Sequence, residues 1–355
     1  MSAQIINGSN GAGAKRRSST LAAEMRPKPS QRCPNEIMRT TGRALFAVVA
    51  SCALLWMRDV GQAQSTAVPP FTLKQVGSNV WAAIDNPAAK GVAAANGGFV
   101  IGDDGVAVID SFASANAAKE LLTEIRQRTK LPIRFVINTH YHGDHVGGNG
   151  VFADAGASIL AHRNVRTWIH AENLRLVGDT APQSIKTMIQ GLTRPSVLYI
   201  DGVSLYLGER EIQVRFFPGH TGGDSVVFVP DAGVVFAGDL LWRNMVPNIV
   251  DGTTPTWIAT LDALAKTNAQ YTFIPGHGDV ANARDVIAFR DYLGALRTLV
   301  GDVQRQGKSG AALVEAVLPT LKKNYGQWDF FAFLAEPNIR DMEAELRGKK
   351  RIPQP

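Results

Sequence analysis

Short apolar runs rich in Val and Ile recur between residues 80 and 274, and several empty into glycine-bearing loops that carry histidine or aspartate. Runs at 80–84, 98–101, 106–109, 133–137, 158–161, 212–217, 226–229, 234–237 and 271–274 read as buried strands. Asp103-Asp104-Gly105, just before 106–109, signals a hairpin turn. Helical spacing appears at Ala117, Leu121, Leu122 and Ile125 within 113–128. Further helices are predicted at 257–264, 281–303, 311–323 and 338–346. This alternation, with hairpins in each half, predicts an α/β fold in which helices cover sheets. Residues 163–199 break the rhythm and read as an inserted helical arm, and 281–355 as a C-terminal helical region.

With 355 residues, 45% hydrophobic and 19% charged, the chain can build a large core in one or two domains. Collagenous, coiled-coil and wholly disordered classes are excluded on composition. The net charge of +6 is not spread evenly. Residues 1–63 hold nine Lys and Arg against three acids, so the remainder is neutral, with 28 of each sign. A neutral body lacks the cationic surface that nucleic-acid binding requires. The basic leader instead contains an unbroken apolar run, 44–57, after Arg39 and Arg43 and before Gly61-Gln62-Ala63. That order predicts a secretory signal over 38–63, too short to span a bilayer comfortably, and an exported protein, periplasmic or extracellular. Met38 is then the expected start, with 1–37 an upstream extension or disordered tail. The competing readings of this segment are an uncleaved anchor and a lipoprotein box at Cys52. Both cysteines, Cys33 and Cys52, fall in the leader, so the mature domain, 64–355, offers no thiolate as nucleophile or ligand.

Chemistry concentrates on the histidines. Three of seven fall in Thr139-His140-Tyr141-His142-Gly143-Asp144-His145, directly after the 133–137 run. His220 lies in Pro218-Gly219-His220-Thr221-Gly222-Gly223-Asp224, Asp239 in Gly238-Asp239, and His277 in Pro275-Gly276-His277-Gly278. Each follows a predicted strand, where a rigid sheet can present side chains on a loop. Isolated histidines at strand ends are commonly just hydrogen-bonded. A cluster of this density is what metal coordination requires. His140, His142 and His220 can serve one ion, and Asp144, His145 and His277 a second. Asp239, with two oxygens, can bridge both. His162 and His170 lack paired ligands and are left out.

The series His-x-His-x-Asp-His, Gly-His-Thr-x-Gly-Asp, Gly-Asp and Pro-Gly-His-Gly, in this order, resembles the metallo-β-lactamase-fold hydrolase superfamily over roughly residues 71–280. The resemblance implies a four-layer αββα sandwich with two zinc ions at one edge, iron or manganese being alternatives at one or both sites. It implies the ligand sets just given, and matches Asp110 to an acidic position that supports the metal loop. Thr139 and Thr221, beside ligands, are expected to orient them. The chain departs from typical lactamases in carrying Asp239 where those have Cys or Ser, as glyoxalase-II-like thioesterases and lactonases do.

The function expected on this basis is a zinc-dependent hydrolase. A hydroxide held between the ions would cleave a small carbonyl substrate, an ester, thioester, lactone or β-lactam, with Asp144 orienting it and accepting its proton. The alternatives are an iron-dependent sulfur dioxygenase on the same fold and a non-catalytic metal-binding protein of the cell envelope. Arg243 and Asn244 lie close enough to Asp239 in sequence to bind a carboxylate or oxyanion, or else form a surface pair. Trp168 and Met188 of the arm wall a pocket or serve the core. The expected partner is a small-molecule substrate, with no nucleic acid and no membrane span in the mature protein.

Overall fold

A computed structural model describes residues 68–267 and 270–354. The predicted extension 1–37, the signal segment 38–63 and both cysteines lie outside the described residues. No helix among the described residues is long and apolar enough to cross a membrane.

The first sheet has seven strands in sequential order: β1 (Phe71–Gly77), β2 (Val80–Asp85), β3 (Gly97–Ile101), β4 (Val106–Ile109), β5 (Ile133–Ile137), β6 (Ser158–His162) and β7 (Val197–Tyr199). β1 to β4 pair antiparallel, with short turns between β1 and β2 and between β3 and β4 and a longer loop, 86–96, between β2 and β3. β4 to β7 pair parallel, because each connection carries a helix. These are α1 (Ala115–Arg128) before β5, and α2 (Gly143–Val146) with α3 (Asn149–Asp154) before β6. α4 (Arg163–Val177) and α5 (Gln183–Gln190) precede β7. The second sheet runs β12-β11-β10-β9-β8, with β8 (Gly202–Leu207), β9 (Arg210–Phe216), β10 (Ser225–Val229), β11 (Val234–Trp242) and β12 (Thr272–His277). α6 (Thr254–Ala265) joins β11 to β12 in parallel, and α7 (Ala283–Arg305), α8 (Gly310–Tyr325) and α9 (Phe331–Leu346) follow.

The strand pleat sorts side chains into three apolar layers. In β4, Ala107 and Ile109 face the second sheet, while Val106 and Val108 face α1 with Leu121 and Ile125. In β10, Val227 and Val229 join the layer between the sheets, while Val226 and Phe228 meet Trp257, Phe289 and Leu296 of α6 and α7. Both sheets are thus covered on both faces, which is why these strands read as unbroken apolar runs. The result is the expected four-layer α/β sandwich with helices at its C-terminal end.

Some elements differ from expectation. The arm at 163–199 closes with β7, which completes the first sheet beside β6. At three residues, with Val197 and Leu198 exposed, β7 has no apolar alternation to betray it. β8, on the edge of the second sheet, does alternate, with Val203, Leu205 and Leu207 turned inward, and sequence reading passed over it. α9 starts at Phe331 and carries Pro337 inside its first turns, so proline there does not mark its start.

Candidate metal centre

Every candidate ligand sits at one rim of the sandwich, where strands of both sheets run out. β5 ends at Ile137, and α2 starts with His142 as its N-cap, so one tight turn carries His140, His142, Asp144 and His145. β9 ends at Phe216, and the loop to β10 carries His220. Asp224 closes that loop, accepting from the backbone N–H groups of Gly219 at 2.9 Å and Thr221 at 2.8 Å. Asp239 does not end a strand, as the sequence pattern predicts, but lies within β11. Gly238 adopts φ +52°, breaking the register with β12, and pairing resumes where Trp242 meets His277. A side chain at 238 would come within 2.6 Å of Thr139, so glycine is required for this kink, which aims Asp239 at the centre.

The donor atoms fall into two groups, His140, His142, His220 and Asp239, and Asp144, His145 and His277. His142 Nδ1 and His220 Nε2 lie 3.0 Å apart. Oδ2 of Asp239 is 3.3 Å from His220 Nε2 and 3.7 Å from His140 Nε2. Its Oδ1 is 3.0 Å from His145 Nε2 and 3.3 Å from His277 Nε2. Asp144 Oδ2 is 3.5 Å from His277 Nε2 and 3.8 Å from His145 Nε2. Two nitrogen ligands of a tetrahedral zinc stand about 3.3 Å apart. The observed spacings bracket that value, and one oxygen of Asp239 faces each group.

The protein leaves these atoms otherwise unserved. Nε2 of His140, His145 and His277 and Oδ1 of Asp239 are buried without a hydrogen-bond partner. Buried polar atoms are rarely left so. The donor set therefore fits a pair of borderline cations taking nitrogen and oxygen. Electrostatics agree. Burial pushes His220 down to about 3 and His140 well below the ordinary imidazole range, keeping both neutral and fit to donate lone pairs. Burial pulls His145 and His277 the same way, yet Asp239 and the nearby carboxylates hold both above it. The field at the second group attracts positive charge.

Outer partners set the ligands' orientation. Asp110 Oδ2 accepts from His145 Nδ1 at 2.8 Å and from Thr139 Oγ1 at 2.7 Å, while its Oδ1 accepts from the Thr139 N–H. This fixes the His145 proton on Nδ1 and turns Nε2 inward. Asp110 holds φ +55°, a conformation that non-glycine residues seldom adopt and that gathers at functional sites. Thr139 Oγ1 also lies 3.1 Å from His140 Nδ1.

A family model described as "Metallo-beta-lactamase superfamily" matches residues 91–277, more than half of the chain. The chain belongs to the metallo-beta-lactamase superfamily. Among curated relatives, a hydroxyacylglutathione hydrolase of Methylococcus capsulatus is 27% identical over 61% of this chain and 79% of its own length. A metallo-beta-lactamase type 2 of Bacteroides fragilis is 25% identical over 53% of this chain and 71% of its own. A solved metallo-beta-lactamase from Pontibacter korlensis shares the fold, with a TM-score of 0.52, 20% identity and coverage of 63% of this chain and 99% of that one. The superfamily binds metal ions, and its relatives of this chain are hydrolases.

Within this superfamily frame, some predicted residues are placed elsewhere. Arg243 has part of its guanidinium engaged by its own fold. Its Nη1 donates to the Val280 carbonyl at 2.6 Å and its Nε sits 3.3 Å from Asp285, because the chain bends back there toward α7. Asn244 is exposed at φ +55°, and its carbonyl accepts from Asp329 N–H, tying β11 to the turn before α9. Thr221 donates to Asp224 and contacts no ligand ring, so it shapes the loop instead of orienting His220 directly. Trp168 is buried against Tyr141, and Met188 is partly exposed.

Other positioning residues escape sequence reasoning. Asn96 donates to the carbonyls of Pro275 at 2.9 Å and Gly278 at 2.7 Å, clasping the His277 loop from the first sheet. Asn149 is buried between Ser111 and Asn138 and bonds both. Asp251 lies 3.6 Å from His142 Nε2. Their partners are remote in sequence, and isolated Asn or Asp residues carry no local signature.

Proposed function

We propose that the protein is a hydrolase that carries two zinc ions and cleaves a small carbonyl compound, an ester, thioester, lactone or β-lactam amide. The observation that carries this reading is Asp239, buried between the two donor groups with one oxygen turned to each. Bound here, the ions would polarise a carbonyl and bring the ionisation of water from 15.7 to about 7. The chain's own residues do the remainder. His140, His142 and His220 would hold one ion, Asp144, His145 and His277 the other, and Asp239 both.

Asp144 keeps 28% of its side chain exposed, whereas the six other ligand side chains are buried. It is therefore the ligand that an incoming water meets first, and its carboxylate is placed to orient that water and take its proton. Trp242 lies against His277, ring centroids 3.9 Å apart, and Phe330 meets Trp242 at 6.3 Å. This apolar wall shields the His277 side from water and suits a substrate with a hydrocarbon part. The thioesterase and lactamase relatives support both ends of the substrate range. Export, inferred from residues 38–63, is part of the proposal, and N-terminal sequencing of the protein from its host checks it.

The deciding experiment is metal analysis of the purified protein together with a substrate panel of nitrocefin, a carbapenem, S-lactoylglutathione and an acyl-homoserine lactone, with and without chelator. About two zinc equivalents and chelator-sensitive hydrolysis are expected. One iron per chain would replace this reading with the dioxygenase one. Asp144→Ala is expected to lower kcat at least 100-fold, in the range of lost general-base assistance. Full activity in that variant would remove the proton-accepting role.

A further inference from the structure

The described chain ends in a tail, residues 347–354, that doubles back from α9 over the arm. Arg351 grips Glu172 of α4 at two points, Nη1 to Oε2 and Nη2 to Oε1, each 2.8 Å. Glu172 Oε2 also accepts from Arg175 Nε at 2.5 Å. Arg175 in turn donates through Nη2 to Asp251 Oδ1, and the Tyr141 hydroxyl donates to Asp251 Oδ2. That same oxygen lies 3.6 Å from His142 Nε2. A second tail residue holds the backbone on both sides of Asp251: Lys350 Nζ donates to the carbonyls of Ile249 and Gly252, each at 2.6 Å. The Gln354 carbonyl accepts from Trp168 Nε1 at 3.0 Å, fixing the tail to the arm again.

Glu172, Asp251 and Lys350 are buried, and burial disfavours charge unless it is paired, whereas Arg351 reaches Glu172 from the surface. Here the pairs run in series as far as Asp251, whose Oδ2 stops 3.6 Å from the buried and unpartnered Nε2 of His142, an imidazole of the first donor group. His142 turns Nδ1 toward His220, so its Nε2–H needs an acceptor, and Asp251 is the carboxylate beside it. Asp251 has its position set on one side by Arg175 and Tyr141 and on the other by the loop that Lys350 holds.

We propose that the C-terminal tail is a strap that positions His142 through the series Arg351, Glu172, Arg175 and Asp251, so that grip on the first metal depends on the tail. The proposal rests on the reading of the first donor group as a metal site. The strap residues are positioning residues: none touches the reacting atoms. Loss of an outer partner of a metal-bound histidine typically weakens metal binding roughly 10–100-fold. Asp251→Asn is expected in that range, roughly 10–100-fold, and Arg351→Ala, three pairs further out, below it.

The experiment titrates zinc and cobalt into the full chain against a competing chelator and records the cobalt absorption spectrum. Arg351→Ala should weaken one of the two bound equivalents, leave the other at the wild-type affinity and alter the cobalt bands of the weakened site. Arg351→Lys, which keeps the charge but loses the two-point fork, should recover part of the affinity. Arg347→Ala, in the same tail but paired with Glu343 and outside the series, should change neither equivalent. Unchanged affinity and spectrum in Arg351→Ala, or equal weakening of both equivalents, would overturn the strap while leaving the metal centre standing. A wild-type chain that takes up no metal would overturn both.

Discussion

Two oxygens of Asp239 answer to four imidazoles, and burial, which alone would raise its pKa, is outweighed by His277, His145 and His140, which hold it well below the carboxylate range. Replacing it by asparagine removes the charge both groups share, so Asp239→Asn should bind well under two metal equivalents by elemental analysis, with both sites depleted. Gly276 makes a companion test. A Cβ there would stand 1.9 Å from Asp239 Oδ1, with β11 backbone immediately behind. Gly276→Ala is expected to lower Tm by several degrees and to lose metal, measured by thermal denaturation and elemental analysis. The candidate ligands were legible in the sequence because five of its seven histidines cluster after apolar runs. Asn96 and Asp251 were not, since the atoms they serve lie 182 residues away for Asn96 and Gly278, and across the arm for Asp251.

Helix α4 shows what an element-level reading gains from structure. His162 is its N-cap, accepting weakly from Asn164 N–H at 3.4 Å and stacked on Phe216 at 4.3 Å. It holds no metal donor position, in keeping with its exclusion on sequence grounds. Burial, reinforced by the charge of Arg163, pushes its pKa down to about 4 from the ordinary 6.5. Between those values the unfolded chain binds the extra proton, so this residue's contribution to stability falls as pH drops from about 6.5 toward 4. His162→Phe should therefore flatten the decline of Tm across that window while leaving metal content unchanged and activity within a few-fold. Denaturation scans at pH 4, 5, 6 and 7 measure it. The strands with uniform Val and Ile were readable because both faces are buried. β7 was not, because three residues are too few to show a period, and β8 was passed over because its alternation, with one face exposed, differs from the uniform runs of the buried strands.

At the scale of the whole molecule, buried candidate ligands, with Nε2 of His140, His145 and His277 and Oδ1 of Asp239 unserved, would link folding to metal uptake. A ligand that binds only the folded state at a hundred times its dissociation constant adds about 2.7 kcal/mol. For a domain of this size that is a rise of roughly 4–5 °C in Tm. Chelator treatment should lower Tm by that amount and zinc should restore it, as differential scanning fluorimetry can follow. The four-layer architecture was legible because alternating strand and helix signals leave few ways to bury so many apolar runs, whereas the doubling back of residues 347–354 over the arm leaves no periodic trace. The two donor groups share a further property: each draws on both sheets, His140 and His142 or Asp144 and His145 from one, His220 and Asp239 or His277 from the other. A cation seated in either group would rivet the halves of the sandwich across their seam. Shear along that seam would pull the donors apart, so resistance to sliding and retention of the ions become a single mechanical property of the molecule.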